Sequence, residues 1–162
     1  MHKALVVLAT GISFVMFCAA LSAQQLPRSG SISFHTGWKD TSEANEVADK
    51  RFQGQGRAVG TTFNDKGSGP LHLGPANCSS TFVVSDGSGP IKGYCAFGDA
   101  DGDRIFTDFT GNISPAGAEG LNVISSGTGK YSGATGSGPW KCKASGKNGE
   151  LQCAQRLDYR LP

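Results

Sequence analysis

From Ser31 the residues alternate, with Ile32, Phe34, Thr36 and Trp38 on one side and Ser31, Ser33, His35 and Gly37 on the other. A period of two with one apolar face predicts a strand buried on one side. The following segment, Lys39 to Ala48, is polar, has neither Pro nor Gly, and is rich in acidic and small residues. It reads as a loop or a single helical turn, with a lid as a further option. Alternation resumes from Arg57 to Asn64, where Val59, Thr61 and Phe63 share a face, and it ends in the turn-rich run Asn64-Asp65-Lys66-Gly67-Ser68-Gly69-Pro70.

Two hairpins carry a register argument. Asp86-Gly87 is a preferred two-residue turn, and when Ser85 and Ser88 flank it, Cys78 falls opposite Cys95. A four-residue loop at Gly146-Lys147-Asn148-Gly149 pairs Ser145 with Glu150 and sets Cys142 opposite Cys153. Four cysteines allow three connectivities, and this register selects Cys78 with Cys95 and Cys142 with Cys153. Pro90, opposite Val83, lacks an N–H for the ladder and implies a bulge or an edge. Asp101-Gly102 reads as another tight turn, setting Phe97 against Phe106 and Tyr94 against Phe109 as aromatic cross-strand pairs. Leu121 to Ser125 adds a further strand. No helical period persists for three turns, and neither a repeat nor a domain linker is visible. About seven or eight short strands with frequent turns suit an antiparallel barrel or a sandwich.

Between Ser126 and Pro139, five of fourteen residues are glycine. A phosphate-binding loop would need glycine at Ile124 and a magnesium-binding serine or threonine at Tyr131, and a dinucleotide fingerprint would need glycine at Ser132, so neither template fits. The run Gly127-Thr128-Gly129-Lys130-Tyr131-Ser132-Gly133-Ala134-Thr135-Gly136 resembles the G-T-G-[KR]-[FY]-x-G-x-x-G signature of the allene oxide cyclase barrel-like superfamily, which includes plant dirigent proteins. That resemblance implies an all-β fold, an eight-stranded closed antiparallel barrel of the calycin type, with Gly127, Gly129, Tyr131 and Gly133 forming a structural turn. In the cyclases the lumen steers ring closure of a fatty-acid epoxide, and in dirigent proteins it guides radical coupling. The matched residues belong to the turn and not to the working residues of either group.

Composition adds a compartment. His2 and Lys3 precede an apolar run from Ala4 to Phe17 and small residues at Ala19, Ala20, Ser22 and Ala23, the pattern of a secretory signal cut after Ala23. The run is too short for a comfortable membrane span. Residues 24–162 then form a single barrel domain, secreted or periplasmic, with no membrane insertion after cleavage. Losing Lys3 leaves 14 of the 15 basic residues against 13 acidic ones, a near-neutral balance that argues against nucleic-acid partners. The four remaining cysteines are an even number in an exported chain, as two disulfides require.

The candidate chemistry is sparse. Asp99-Ala100-Asp101-Gly102-Asp103 gathers carboxylates, but the sixth and twelfth places of an EF-hand loop counted from Asp99 hold Arg104 and Thr110. A solvated turn is the preferred reading, with weak surface calcium the rarer alternative. His35 and His72 stand outside any zinc motif, and no G-x-S-x-G elbow occurs. Neither a metal nor a cofactor is expected. Most aromatic residues read as core; were the lumen open, Phe34, Trp38, Phe63 and Trp140 would be its ligand-binding candidates, with Arg57, Arg104 or Lys130 available for a polar end. The expected function is a non-catalytic exported barrel that binds a small hydrophobic molecule or a protein partner. An isomerase or cyclase shaping a hydrophobic substrate is the alternative, distinguished by an acid or base such as His35, Glu43 or Glu46 inside the lumen.

Overall fold

A computed structural model describes residues 26–146 and 148–162; the proposed signal, residues 1–23, and Lys147 lie outside the described residues. Eight strands follow one another: β1 (Ser29–Ala48), β2 (Arg51–Asn64), β3 (Leu73–Ser85), β4 (Gly89–Asp99), β5 (Arg104–Ser114), β6 (Gly117–Gly127), β7 (Thr135–Ala144) and β8 (Glu150–Arg160). Each pairs antiparallel with its sequence neighbour, and β8 returns to β1 to close the barrel. Closure pairs edge strands that would otherwise be exposed.

The predicted alternation in β1 places Ile32, Phe34, Thr36 and Trp38 inside. The cysteine registers also hold. Asp86 and Gly87 both take left-handed backbone (φ 49° and 76°), Ser85 bridges Ser88, and Cys78 pairs with Cys95. Ser145 N–H donates to Glu150 O at 2.9 Å, and Cys142 pairs with Cys153. Disulfides join both pairs. Pairing of β3 with β4 stops at Phe82 and Ile91, so Pro90 meets no ladder partner on that side.

Three expectations require correction. The segment Lys39 to Ala48 is neither loop nor helical turn, since β1 continues through it, paired with β2 as far as Ala48 and Arg51. Thr41 to Ala48 are exposed throughout. A strand that packs on neither face needs no apolar alternation, so its composition looked like that of a loop. In β2 the inward face is Ala58, Gly60, Thr62 and Asn64, while Val59 and Phe63 point outward at 44% and 43% exposure. Trp38 faces Gly60 across the ladder, and a Cβ at Gly60 would come within 2.9 Å of its ring. The inside of a small barrel takes a large residue only opposite a small one. Finally, β4 and β5 join through the four residues Ala100–Asp103, with Gly102 at φ 96° and Asp99 N–H donating to Asp103 O at 2.8 Å. The pairs are Phe97 with Ile105 and Tyr94 with Asp108, one residue away from the expected aromatic pairs. Phe97, Ile105 and Phe109 turn inward and Tyr94 outward as a result.

Candidate functional site

The two ends of the barrel differ. At one end the β6–β7 connection folds under the strands, its residues Gly129–Tyr131 forming a single 3-10 turn that buries Tyr131 completely. The Tyr131 hydroxyl donates to Asp99 Oδ2 at 2.6 Å, and the Leu71 N–H donates to the other oxygen of this carboxylate, which is itself buried. Lys130 Nζ lies 2.7 Å from Asp99 Oδ2, 2.5 Å from Asp101 Oδ2 and 4.0 Å from Asp103 Oδ2. The carboxylates that suggested a calcium turn thus close on the protein's own ammonium group. Gly129 is required here twice over, for its φ of 52° and because a Cβ would collide with the Asp103 carboxylate.

These contacts move proton affinities as their charges dictate. Burial pushes the Tyr131 phenol up, and the hydrogen bond to Asp99 adds to it. Burial alone would lower Lys130, but its bonds to Asp101 and Asp99 outweigh that and hold it above the ordinary lysine value. The Lys130 bond in turn holds Asp101 below the usual carboxylate range.

Above this floor Phe97 packs edge-on against Phe34 at 5.2 Å and against Trp38 at 6.2 Å. A polar chain crosses the barrel at the next level. Thr107 Oγ1 donates to Asn122 Oδ1 (3.2 Å), Asn122 Nδ2 to Gln155 Oε1 (3.1 Å), and Gln155 Nε2 to Thr36 Oγ1 (2.9 Å). All four side chains are buried, and mutual satisfaction keeps that burial affordable.

Over the polar chain lies a cavity of about 120 Å³, walled by Trp38, Phe97, Phe109, Trp140 and both disulfides, with Asn122 and Gln155 below and Asp40 and Ser80 toward the mouth. Trp140 meets Phe109 edge-on at 5.6 Å, and its buried Nε1 has no hydrogen-bond partner among the described residues. Beyond the cavity, burial fades toward the hairpin tips at Asp49-Lys50, Asp86-Gly87, Pro115-Ala116 and, at the last hairpin, Gly146 and Asn148-Gly149.

Of the ligand-binding candidates, Trp38 and Trp140 line the cavity, Phe34 sits in the packed core beneath it, and Phe63 faces away from it. Gly127, Gly129 and Tyr131 build the floor, and Gly133 takes φ 72° in the same connection. Arg57 and Arg104 are exposed on outward positions. His35 is also outside, its Nδ1 2.6 Å from Asp65 Oδ1, and Glu43 and Glu46 lie on the projecting part of β1. Sequence reasoning missed Phe109, Asn122 and Gln155 as wall and floor residues. The inward places of an alternating pattern could have flagged Asn122 and Gln155, because polar residues there must find partners.

The chain matches no protein-family profile and no curated protein sequence. Among solved structures it is similar to a protein of unknown function of the DUF3224 family from Shewanella oneidensis MR-1, at 13% identity and a TM-score of 0.50, covering 83% of this chain and 98% of that one. At this identity the likeness is one of fold alone.

Proposed function

We propose that this chain is an exported, non-catalytic barrel that holds one small apolar molecule in its lumen, as the resemblance of Gly127–Gly136 to the allene oxide cyclase-like barrels suggests. The observation that carries the reading is the aromatic-walled cavity of about 120 Å³ above a sealed floor. Its size is comparable to engineered apolar cavities of about 150 Å³ that admit benzene, so a single ring or a short branched chain is the fitting class. Export is supported by the signal pattern and by the two disulfides. Outward residues such as Ser31, Ser33, Arg156 and Asp158 suit water rather than lipid. The isomerase alternative needs an acid or base in the lumen, and among the described residues the cavity wall offers only Asp40, hydrogen-bonded to Ser42 at 2.5 Å near the mouth.

Native mass spectrometry of protein purified from its own host should reveal a retained small molecule. Emptied protein titrated with toluene should shift the indole N–H resonances of Trp38 and Trp140, and Ala118→Phe, which fills the cavity, should abolish the response. A folded protein with no retained mass and no shift at saturating toluene would overturn the proposal.

A further inference from the structure

A groove lies on the outside of the barrel. Ser42, Gly56, Ser80, Gly93 and Phe109 are successive cross-strand partners, one from each of β1 to β5. Their backbone floors a groove of about 1240 Å³ that runs across the strands. One wall is the outward row Arg57, Ser79, Tyr94 and Asp108, again direct partners from β2 to β5. The other is Glu43, Gln55, Thr81, Lys92 and Thr110. All of these side chains are exposed, and Tyr94 reaches 70%.

We infer that this groove binds a neutral oligosaccharide. Tyr94 has Ser79 and Asp108 as its cross-strand partners, so no apolar partner stands directly opposite and its face is free to receive the C–H face of a sugar ring. Around it stand groups that match sugar hydroxyls in both directions. Arg57 and Lys92 donate, Glu43 and Asp108 accept, and Gln55 with the Ser and Thr side chains does both. None of the four charged residues is ion-paired with another described residue, so their hydrogen-bonding capacity is uncommitted.

The charge pattern decides between ligand classes. Two cations, Arg57 and Lys92, and three anions, Asp40, Glu43 and Asp108, line the groove, so a nucleic acid would find no net attraction and would meet Asp108 beside the aromatic platform. A peptide strand added to a sheet needs an unpaired edge, whereas this groove crosses five strands that are already paired with one another. Four interstrand steps of about 4.8 Å give a length of about 19 Å, which suits a short oligomer better than a single sugar.

The test is calorimetric titration of the full barrel with neutral hexasaccharides of glucose, xylose, mannose and N-acetylglucosamine, beside a single-stranded DNA oligomer. At least one hexasaccharide should bind with an affinity that hardly changes as salt is raised. Tyr94→Ala should weaken it about tenfold or more, while toluene binding in the lumen stays as in the wild type and shows that the variant is folded. The inference is overturned if no hexasaccharide binds, if Tyr94→Ala binds as tightly as the wild type, or if DNA alone binds with the steep salt dependence of a phosphate site.

Discussion

Replacing Tyr131 by Phe should cost the fold about 2 kcal/mol, the lower part of the range for a hydrogen bond to a charged group. The ring is completely buried and stays packed, so the substitution removes little more than the 2.6 Å bond to Asp99. Asp99 keeps the Lys130 ammonium and the Leu71 N–H as donors, which spares the variant the larger penalty of an orphaned buried charge. In a domain of this size the loss corresponds to a fall in Tm of about 6–8 °C. Urea unfolding followed by tryptophan fluorescence, with the disulfides intact, measures it directly. A second readout comes from pH. Because burial and Asp99 raise the Tyr131 phenol, the folded state holds that proton more tightly than the unfolded chain does. The contribution is fully present below the ordinary tyrosine value near 10 and is lost as pH rises beyond it. Lys130, also raised, loses its contribution in the same direction, and the residue remains in the variant. Stability of Tyr131→Phe should therefore fall less steeply than that of the wild type above about pH 10. A variant within about 0.5 kcal/mol of the wild type, with an unchanged alkaline limb, would refute the view that this bond locks the closed end.

Each disulfide closes a short loop, with cysteines 17 and 11 positions apart. Removing either as a Cys-to-Ala pair should cost about 3 kcal/mol in urea unfolding, and non-reduced peptide mapping of the wild type should recover Cys78 with Cys95 and Cys142 with Cys153. Thr62 is fully buried, with its Oγ1 3.0 Å from Gly98 O and accepting from Gly74 N–H at 3.1 Å. Thr62→Val keeps the shape but strands those backbone groups, so a loss of about 1–3 kcal/mol is expected, together with faster amide exchange at Gly74.

Local patterns were readable where one residue's chemistry dictates its own geometry. Asp86-Gly87 tolerates the left-handed backbone of a two-residue turn, and once that turn is set the ladder carries Cys78 to Cys95 without further choice. At Asp101-Gly102 the same dipeptide makes a different loop, because the Asp101 carboxylate is drawn to Lys130, which comes from a distant connection. The continuation of β1 to Ala48 was hidden for a related reason, as its strand conformation rests on hydrogen bonds to β2 and not on burial of its side chains.

Alternation, turn residues and cysteine spacing thus determined the all-β class, two of the hairpin registers and both disulfides, since each depends on residues close in sequence. Tertiary structure decided which residues meet inside. Closure of the barrel brings Gln155 to Thr36 across the β8–β1 seam, and the inward fold of the β6–β7 connection carries Lys130 to the carboxylates of Asp99 and Asp101. Those contacts join segments far apart along the chain, and the limited volume of a small closed cylinder, rather than any local preference, selects them.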